Sequence, residues 1–173
     1  MGDEESVDLV DENDSAVGES TLGDCLKGGL LHRAVAVVVS RSDGKVLLQR
    51  RSRKDHWQPG MWTLSSTGHV RKGESYEGAA GRELDEELGL RSGLVNLGKY
   101  LIPPIKEGGL TEHEWVSLFA ASTDAPVRAD PVEVESVEEF DARGLRTMME
   151  GTGLTPDSSM LLGEYLRLRP RPA

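Results

Sequence analysis

Residues 68–90 read GHVRKGESYEGAAGRELDEELGL and form the most informative stretch of the 173-residue chain. The second half of the stretch predicts a helix from Ser75 to Leu88, with Gly89 as its C-terminal cap. Small and aliphatic residues recur at i, i+4 and i+8 along this helix, namely Ala80, Leu84 and Leu88. Such a stripe is typical of a helix that packs on a sheet. The stretch therefore predicts a helical layer lying on strands.

The same helix carries a concentration of acidic residues. Glu83, Glu86 and Glu87 are spaced i, i+3 and i+4, so their carboxylates share one face. Like charges on one face repel each other, and a bound cation would relieve that repulsion. An all-oxygen ligand set suits Mg²⁺ or Mn²⁺ rather than zinc. The ordinary alternative is a solvated acidic face. Gly78 and Gly81 weigh against it, because each costs about 1 kcal/mol relative to alanine in a helix interior.

The spacing of this stretch resembles the complete Nudix box. Gly68 is followed after five residues by Glu74, and after seven more by the run Arg82-Glu83-Leu84-x-Glu86-Glu87-x-Gly89-Leu90. The resemblance implies the Nudix fold, an α/β (α+β) architecture in which a mixed β-sheet is sandwiched between α-helices. It also implies hydrolysis of a diphosphate that links a nucleoside or another organic group to a group X.

The resemblance further implies a role for individual positions. Four positions match the family's metal ligands, the last through its backbone carbonyl: Glu83, Glu86, Glu87 and Gly68. Two match the pair that orients the ligand glutamates, and a third is structural: Arg82, Glu74 and Gly89. The metal would be Mg²⁺ or Mn²⁺, which activates water for in-line attack on phosphorus. Two candidates remain open for the base: Glu86, and outside the box Glu114. The predicted catalytic set is Glu83, Glu86, Arg82 and Glu114.

Segments outside the box resemble a narrower group, the isopentenyl-diphosphate isomerases and the Nudix hydrolases closest to them. The resemblance runs from about residue 7 to residue 139 and rests on three segments, Leu31–Ala34, Leu47–Ser52 and Pro59–Trp62. In the isomerases a second metal site is built from histidines and glutamates. Its positions match His32, His69, Glu112 and Glu114, while the fifth, a histidine in that family, falls at Cys25.

Two departures from the isomerases favour hydrolysis. Their catalytic cysteine falls at Thr67, whose hydroxyl is too weak an acid to replace a thiol. Their C-terminal active-site tryptophan has no counterpart in residues 155–159. We therefore predict a Mg²⁺-dependent pyrophosphohydrolase that acts on a small-molecule diphosphate. Two alternatives stay open: an isomerase-like enzyme on prenyl diphosphates, and a Nudix-fold module that binds a ligand without turnover.

Several side chains outside the helix are candidates for substrate binding. Arg50, Arg51 and Lys54 form a cationic cluster, and strand alternation would point one of the two arginines towards the site. A guanidinium there could hold a phosphate through two hydrogen bonds. His69 follows Gly68 directly and is therefore a candidate to contact substrate or metal. The structural alternatives are a solvated strand end for the cations and a loop histidine bonded to backbone.

The remaining elements follow from apolar runs and turn signals. The nearly continuous β-branched run Ala34–Val39 predicts a strand that is covered on both faces. The other predicted strands are Val7–Val10, Ala16–Gly18, Lys45–Gln49, Trp62–Ser65, Val95–Ile102, Glu114–Ala121 and Val132–Phe140. Further helices are predicted over Ala142–Met149 and Ser159–Arg169, and loops over Lys27–Gly29 and Pro103–Glu114.

Composition limits the classes of function. The chain has 20 Lys and Arg against 30 Asp and Glu, a formal net charge of −10, which argues against nucleic acid or anionic lipid as a partner. It contains no apolar run of the length a membrane span needs. One cysteine and an acidic N-terminus lead us to expect a cytoplasmic protein, either a monomer or a homodimer. The length predicts one domain, residues 6–173, after a disordered acidic tail, residues 1–5.

Overall fold

A mixed sheet of nine strands runs through the computed structural model, which describes residues 4–169. The strands are β1 (Ser6–Val10), β2 (Ala16–Thr21), β3 (His32–Ser40), β4 (Val46–Arg51), β5 (Trp62–Thr63), β6 (Ser66–His69), β7 (Val95–Glu107), β8 (Leu110–Ser122) and β9 (Val134–Phe140). The helices within the same range are α1 (Leu22–Gly28), α2 (Tyr76–Leu88), α3 (Ala142–Glu150) and α4 (Pro156–Leu168).

Strand β3 lies at the centre of the sheet. It pairs antiparallel with β1, β4 and β6 and parallel with β8. The outer pairs are β7 with β8 and β9 with β4, both antiparallel. Every residue from Ala34 to Val39 is buried, because β3 has neighbouring strands on both sides and side chains packed on both faces. The prediction of a strand that is covered on both faces is therefore confirmed.

The two faces of the sheet carry separate hydrophobic cores. Alternate residues of β3, such as Ala36 and Val38, pack with residues of α4 that include Leu161 and Leu162. The intervening residues, Val35, Val37 and Val39, pack in the other core with residues of α2 and β8: Ala80, Leu84, Leu88 and Phe119. The helices thus sandwich a mixed sheet, and the predicted α/β (α+β) class is confirmed.

Helix α2 has the boundaries that its cap signals predict. Ser75 is the N-cap, and its side chain accepts a hydrogen bond from the Gly78 amide. The helix ends at Leu88, and Gly89 adopts a left-handed conformation with φ 62°, in which its amide donates to the Asp85 carbonyl. The cap fixes the residue at which the helix ends.

Several segments differ from the sequence-based predictions. The predicted strand Trp62–Ser65 is wrong in its second half, because β5 ends at Thr63 and a separate strand, β6, which was not predicted, covers Ser66–His69. Lys27 and Gly28, predicted in a loop, belong to α1, which Thr21 caps at the start and Gly29 (φ 63°) at the end. The predicted loop Pro103–Glu114 is wrong, because β7 continues through both prolines and turns into β8 at Gly108 and Gly109. A register shift between Ile102 and Ile105 absorbs the prolines. Helix α4 begins earlier than predicted, at Pro156.

The beginning of the described chain is attached to the domain. Residues 1–3 of the predicted acidic tail lie outside the described residues, whereas the Glu5 carbonyl accepts a hydrogen bond from the Leu22 amide at 2.8 Å. The Glu5 carboxylate also pairs with Arg71. Across residues 4–169, every helix is too short or too polar to cross a bilayer.

Candidate active site

Helix α2 holds two of its three candidate glutamates against the sheet. Glu83 and Glu87 are 8% and 6% exposed, while the side chain of Glu86 is about half exposed. Glu83 packs directly on Gly68 of β6. An added Cβ at Gly68 would lie 2.1 Å from the Glu83 Cδ atom. Only a glycine therefore leaves room for the Glu83 carboxylate at this point.

The Glu87 carboxylate is held by two donors from the sheet. Its Oε2 accepts hydrogen bonds from the Gln49 Nε2 at 3.0 Å and from the Thr67 amide at 3.1 Å. Burial raises the pKa of Glu87 to about 8, and the negative charge of Glu83 adds to the rise. Burial likewise raises the pKa of Glu83 to about 7, although Arg82 opposes the rise. The two buried carboxylates are thus costly to ionise without a cation.

Arg82 connects the acidic side chains of the site. Its guanidinium binds both oxygens of Glu74 at 2.9 Å, and its Nη2 donates to the His69 carbonyl at 3.0 Å. Its Nη1 donates to Glu83 at 2.6 Å and to Glu86 at 3.2 Å. Because a guanidinium offers five donors in one plane, Arg82 fixes Glu83 while Glu74 fixes Arg82. Arg82 thereby links Glu74, Glu83 and Glu86 in one hydrogen-bonded group.

A groove opens beside Glu87, and we call it the glutamate groove. Its lining includes Gln49, Arg51, Lys54, His56, Glu87 and Glu133, and it encloses about 970 Å³ including its open mouth. Glu133 precedes β9, far from α2 in sequence, and its negative charge contributes to the raised pKa values of both Glu83 and Glu87. Glu133 and Gln49 are functional candidates that the sequence motifs did not reveal.

Two of the three predicted cationic residues lie beside the glutamates, and the third does not. Arg51 and Lys54 line the glutamate groove. The Arg51 guanidinium donates to Asp55 at 2.6 Å and to the Trp57 carbonyl at 3.0 Å. Arg50 instead donates to the Gly60 carbonyl at 2.9 Å. Strand alternation thus points Arg51 rather than Arg50 towards the glutamates.

A second cluster of ionisable side chains includes His69, the last residue of β6. The Glu114 Oε1 is 2.9 Å from the His69 Nε2 and 3.4 Å from the His32 Nε2, and the two imidazoles stack with centroids 5.2 Å apart. The register of the central strands brings these three side chains together. His32 of β3 pairs with Glu114 of β8, and Ala34, two residues after His32, pairs with His69 of β6. We call this set the histidine cluster.

Electrostatics bind the histidine cluster together. Burial opposes ionisation of Glu114, but hydrogen bonds and charge from His32 and His69 keep the pKa of this carboxyl well below its usual range. Despite its burial, His32 has a raised pKa because Glu114 faces it. The His69 Nδ1 is buried and has no hydrogen-bond partner within residues 4–169. Cys25 lies apart from these residues, in an apolar cluster with Val7 and Leu22.

The site offers two candidate places for a cation. Glu83 and Glu87 supply buried oxygens with raised pKa values, which suits a hard ion such as Mg²⁺ or Mn²⁺. Among residues 4–169, one set of three potential ligands has all its atoms within 4.8 Å of one another, and it is the histidine cluster. The glutamates of α2 therefore present ligands along a helix face rather than a closed cage. The mixed N and O donors of the histidine cluster suit a transition metal or zinc.

In the metal-free protein, Glu87→Gln is expected to stabilise the fold, and to do so more strongly as pH rises from about 4.5 to about 8. The folded-state pKa of Glu87 is raised to about 8 from the usual 4.5, so the folded protein keeps a proton that the unfolded chain releases. The stability that this proton provides is complete below the lower value and is lost as pH rises through the upper one. Glutamine has no proton to lose and can still accept both hydrogen bonds. Thermal unfolding in EDTA near pH 5 and pH 8 measures the difference, and equal differences at both pH values would contradict the expectation.

Comparisons with known proteins agree with this architecture. A family model described as the NUDIX domain matches residues 30–157. An isopentenyl-diphosphate Delta-isomerase of Serratia proteamaculans is 35% identical over 142 residues, which are 82% of this chain and 79% of that protein. An uncharacterized Nudix hydrolase of Pseudomonas aeruginosa is 32% identical over 170 residues, 95% of each chain.

Solved structures show the same fold at lower identity. A protein of Deinococcus radiodurans superposes with a TM-score of 0.76 at 22% identity, over 95% of this chain and 100% of the other. The NUDIX domain of NrtR from Shewanella oneidensis, complexed with ADP ribose, gives a TM-score of 0.62 at 20% identity, over 79% of this chain and 86% of the other. At such identities the likeness concerns the fold alone.

Proposed function

Because the chain belongs to the Nudix family, we propose that it is a metal-dependent hydrolase that cleaves the diphosphate linkage of a small molecule. The observation that carries the proposal is the pair of buried carboxylates, Glu83 and Glu87, fixed by Arg82 and by Gln49 beside an open groove. A helix face built only for solubility has no reason to bury two carboxylates and to raise their pKa values.

Different residues of the chain would bind the metal, orient its ligands and bind the diphosphate. Glu83, Glu86 and Glu87, with the Gly68 carbonyl, would hold Mg²⁺ or Mn²⁺. When bound, such an ion neutralises the diphosphate and lowers the pKa of a water molecule. Arg82 keeps Glu83 in place through a 2.6 Å hydrogen bond. Arg51 and Lys54 line the groove and would bind the diphosphate.

Two glutamates are candidates for the base. Glu86 is half exposed and within 3.2 Å of Arg82, so it can exchange a proton with solvent. Outside the helix, Glu133 is a better candidate than Glu114, because Glu133 lines the glutamate groove together with Glu87. Glu114 is buried, and its Oε1 already pairs with the Nε2 atoms of His32 and His69.

An isomerase-like activity on prenyl diphosphates is the second candidate function. The histidine cluster and the 35% identity to a named isomerase favour it. Against it, Thr67 stands where the resemblance places a catalytic thiol, and Leu161 rather than an aromatic residue of α4 lines the nearby cavity. A threonine hydroxyl is too weak an acid to protonate a carbon–carbon double bond, so hydrolysis is the better account.

Isotope labelling separates these activities. The protein is incubated with Mg²⁺ and a panel of nucleoside diphosphate derivatives, dinucleotides and prenyl diphosphates, in ¹⁸O-water for ³¹P NMR and in D₂O for ¹H NMR. We expect one phosphorus of a cleaved substrate to acquire ¹⁸O, in a reaction that requires Mg²⁺. Deuterium entering the carbon skeleton of an intact diphosphate would instead establish isomerisation. Tight binding of a panel member without either change would establish a binding module.

A further inference from the structure

Strand β1 lies against residues 71–74 of the Nudix box, which connect β6 to α2 and which we call the box loop. The strand precedes the residues that the NUDIX family model matches. Val7 of β1 and Arg71 form an isolated antiparallel bridge, and Val7 is fully buried. A strand from outside the box therefore contacts the loop that carries Glu74.

Two backbone amides of the box loop donate to acceptors on β1. The Lys72 amide donates to the Ser6 carbonyl at 2.8 Å, and the Gly73 amide donates to the Asp8 Oδ2 at 3.0 Å. Gly73 has a φ of 71°. Because glycine adopts positive and negative φ about equally readily, the path of the loop at Gly73 depends on the hydrogen bond that its amide makes. The Asp8 carboxylate is thus the side chain that fixes the loop directly before Glu74.

The position of the box loop determines where the Glu74 carboxylate lies. The Glu74 amide donates to the Arg71 carbonyl at 2.9 Å, and the Glu74 Oε2 accepts a hydrogen bond from the Arg71 amide at 3.0 Å. Both oxygens of Glu74 also bind the Arg82 guanidinium at 2.9 Å, and Arg82 in turn donates to Glu83 at 2.6 Å. A shift of the loop would therefore move Glu74, Arg82 and Glu83 together.

The hairpin of β1 and β2 is itself held in place beside α2. The Arg33 Nη1 is 3.8 Å from the Asp8 Oδ2, and the Arg33 Nε donates to Asp14, in the turn of the hairpin, at 2.6 Å. Asp14 also accepts a hydrogen bond from the hydroxyl of Tyr76, the first residue of α2, at 3.0 Å. The hairpin thus contacts both the box loop and the start of the helix that carries the candidate metal ligands.

We propose that Asp8 is a positioning residue of the active site: it fixes the box loop so that Glu74 and Arg82 hold Glu83 where a divalent cation binds. This inference rests on the proposed metal-dependent hydrolysis and extends the residues that serve it to β1. Substitution of Asp8 should change metal binding and turnover. It should leave the KM for the diphosphate nearly unchanged, because the residues proposed to bind the diphosphate, Arg51 and Lys54, lie elsewhere, in the glutamate groove.

A pair of substitutions at Asp8 tests the inference. Mn²⁺ affinity is measured by electron paramagnetic resonance, and kcat and KM are measured with the diphosphate of the panel that the wild type cleaves fastest. We expect Asp8→Ala to weaken Mn²⁺ binding and to lower kcat, each by about 10-fold, with KM within about 2-fold of wild type. Residues that orient metal ligands typically contribute 10- to 100-fold, and Asp8 acts from one step further away. Asp8→Asn keeps an oxygen that can accept the Gly73 bond, so it should restore both quantities to within about 3-fold.

Asp11→Ala is the matched control within the same hairpin. The Asp11 Oδ1 accepts hydrogen bonds from the amides of Asn13 and Ser15 at 2.9 Å, so this variant weakens the hairpin without removing a bond to the box loop. It should keep Mn²⁺ affinity and kcat within about 2-fold of wild type. In a Glu74→Gln background, Asp8→Ala should change either quantity by less than about 2-fold, because Asp8 acts through Glu74.

The outcomes separate positioning from a general effect on stability. Wild-type Mn²⁺ affinity in folded Asp8→Ala, an equal loss in Asp11→Ala, or an undiminished effect of Asp8→Ala in the Glu74→Gln background would overturn the inference. If Asp8→Ala does not fold, Asp8→Ser replaces it, because the serine side chain is polar but too short to reach Gly73. If the wild type cleaves no diphosphate, the proposed hydrolysis fails and the Mn²⁺ affinities decide: weaker binding in Asp8→Ala than in Asp8→Asn and Asp11→Ala supports the inference, and equal binding overturns it.

Discussion

Glu87→Gln is expected to lower the Mg²⁺-dependent kcat by about 1,000-fold or more without unfolding the protein. The ion that neutralises the diphosphate contributes several kcal/mol to the transition state, and about 4 kcal/mol corresponds to 1,000-fold. Glutamine has nearly the same shape as glutamate and can accept the same bonds from Gln49 and Thr67. It lacks the charge that holds a divalent cation, so the effect should appear in turnover and not in folding.

Glu77→Gln is the matched control for this substitution. Glu77 lies in the first turn of the same helix and is exposed, so its loss should leave kcat within about 2-fold, as for other surface changes. Turnover is measured at saturating Mg²⁺, with circular dichroism to verify the fold. Wild-type turnover in Glu87→Gln would contradict the role assigned to the buried glutamates. Glu86→Gln should cause a comparable loss if Glu86 acts as a ligand or a base.

Gly68→Ala is expected to reduce stability by about 1–3 kcal/mol, the usual cost of overpacking, and to reduce kcat by about 100-fold. The added methyl group would lie 2.1 Å from the Cδ of Glu83, so either the strand or the carboxylate must move. Glu83 is also bound by Arg82, so its displacement disturbs the orienting network. Small displacements of a metal-ligating or orienting group typically cost 10- to 100-fold.

Gly81→Ala, in helix α2, is expected to have the opposite effect on stability. Gly81 lies within α2, and a Cβ there meets no atom within 4 Å among the described residues. Because alanine favours helix by up to about 1 kcal/mol over glycine, this variant should be more stable with unchanged kcat. Urea unfolding and steady-state kinetics of both glycine variants measure the contrast. Equal stability and equal turnover of the two variants would contradict the close packing of Glu83 on Gly68.

The acidic face of α2 could be predicted from sequence because its geometry is local. The spacing of Glu83, Glu86 and Glu87 places them on one side of any helix, and Ser75 and Gly89 mark its ends. The burial of each glutamate, in contrast, does not follow from the spacing. Two of the three glutamates are buried and the third is half exposed, which depends on how the helix is rotated on the sheet.

Residues from distant segments could not be found in this way. Glu133 and Gln49 reach the glutamates only because β4 pairs with β9 and lies next to α2. Asp157 and Glu112 line one cavity because α4 and β8 contribute to the same hydrophobic core. No motif links these positions, and their meeting depends on strand order and helix packing, which a single sequence does not specify.

The prediction for residues 103–114 was wrong for a physical reason. Two consecutive prolines normally end a strand, since they lack the amide that a ladder needs. Within residues 4–169, however, β7 pairs with β8 alone and has one free edge. Prolines are tolerated at such an edge or at a bulge, and the register shift between Ile102 and Ile105 provides the bulge. Neither the edge position nor the bulge is visible in the local sequence.

Mn²⁺ titration followed by electron paramagnetic resonance tests the central claim, that the buried glutamates hold the catalytic ion. Wild type, Glu87→Gln and His69→Gln are compared near pH 8, where Glu83 and Glu87 can release their protons. We expect wild type to bind Mn²⁺ at a site that Glu87→Gln abolishes and His69→Gln retains. Absence of Mn²⁺ binding in wild type, or a single site that His69→Gln abolishes and Glu87→Gln retains, would contradict the claim.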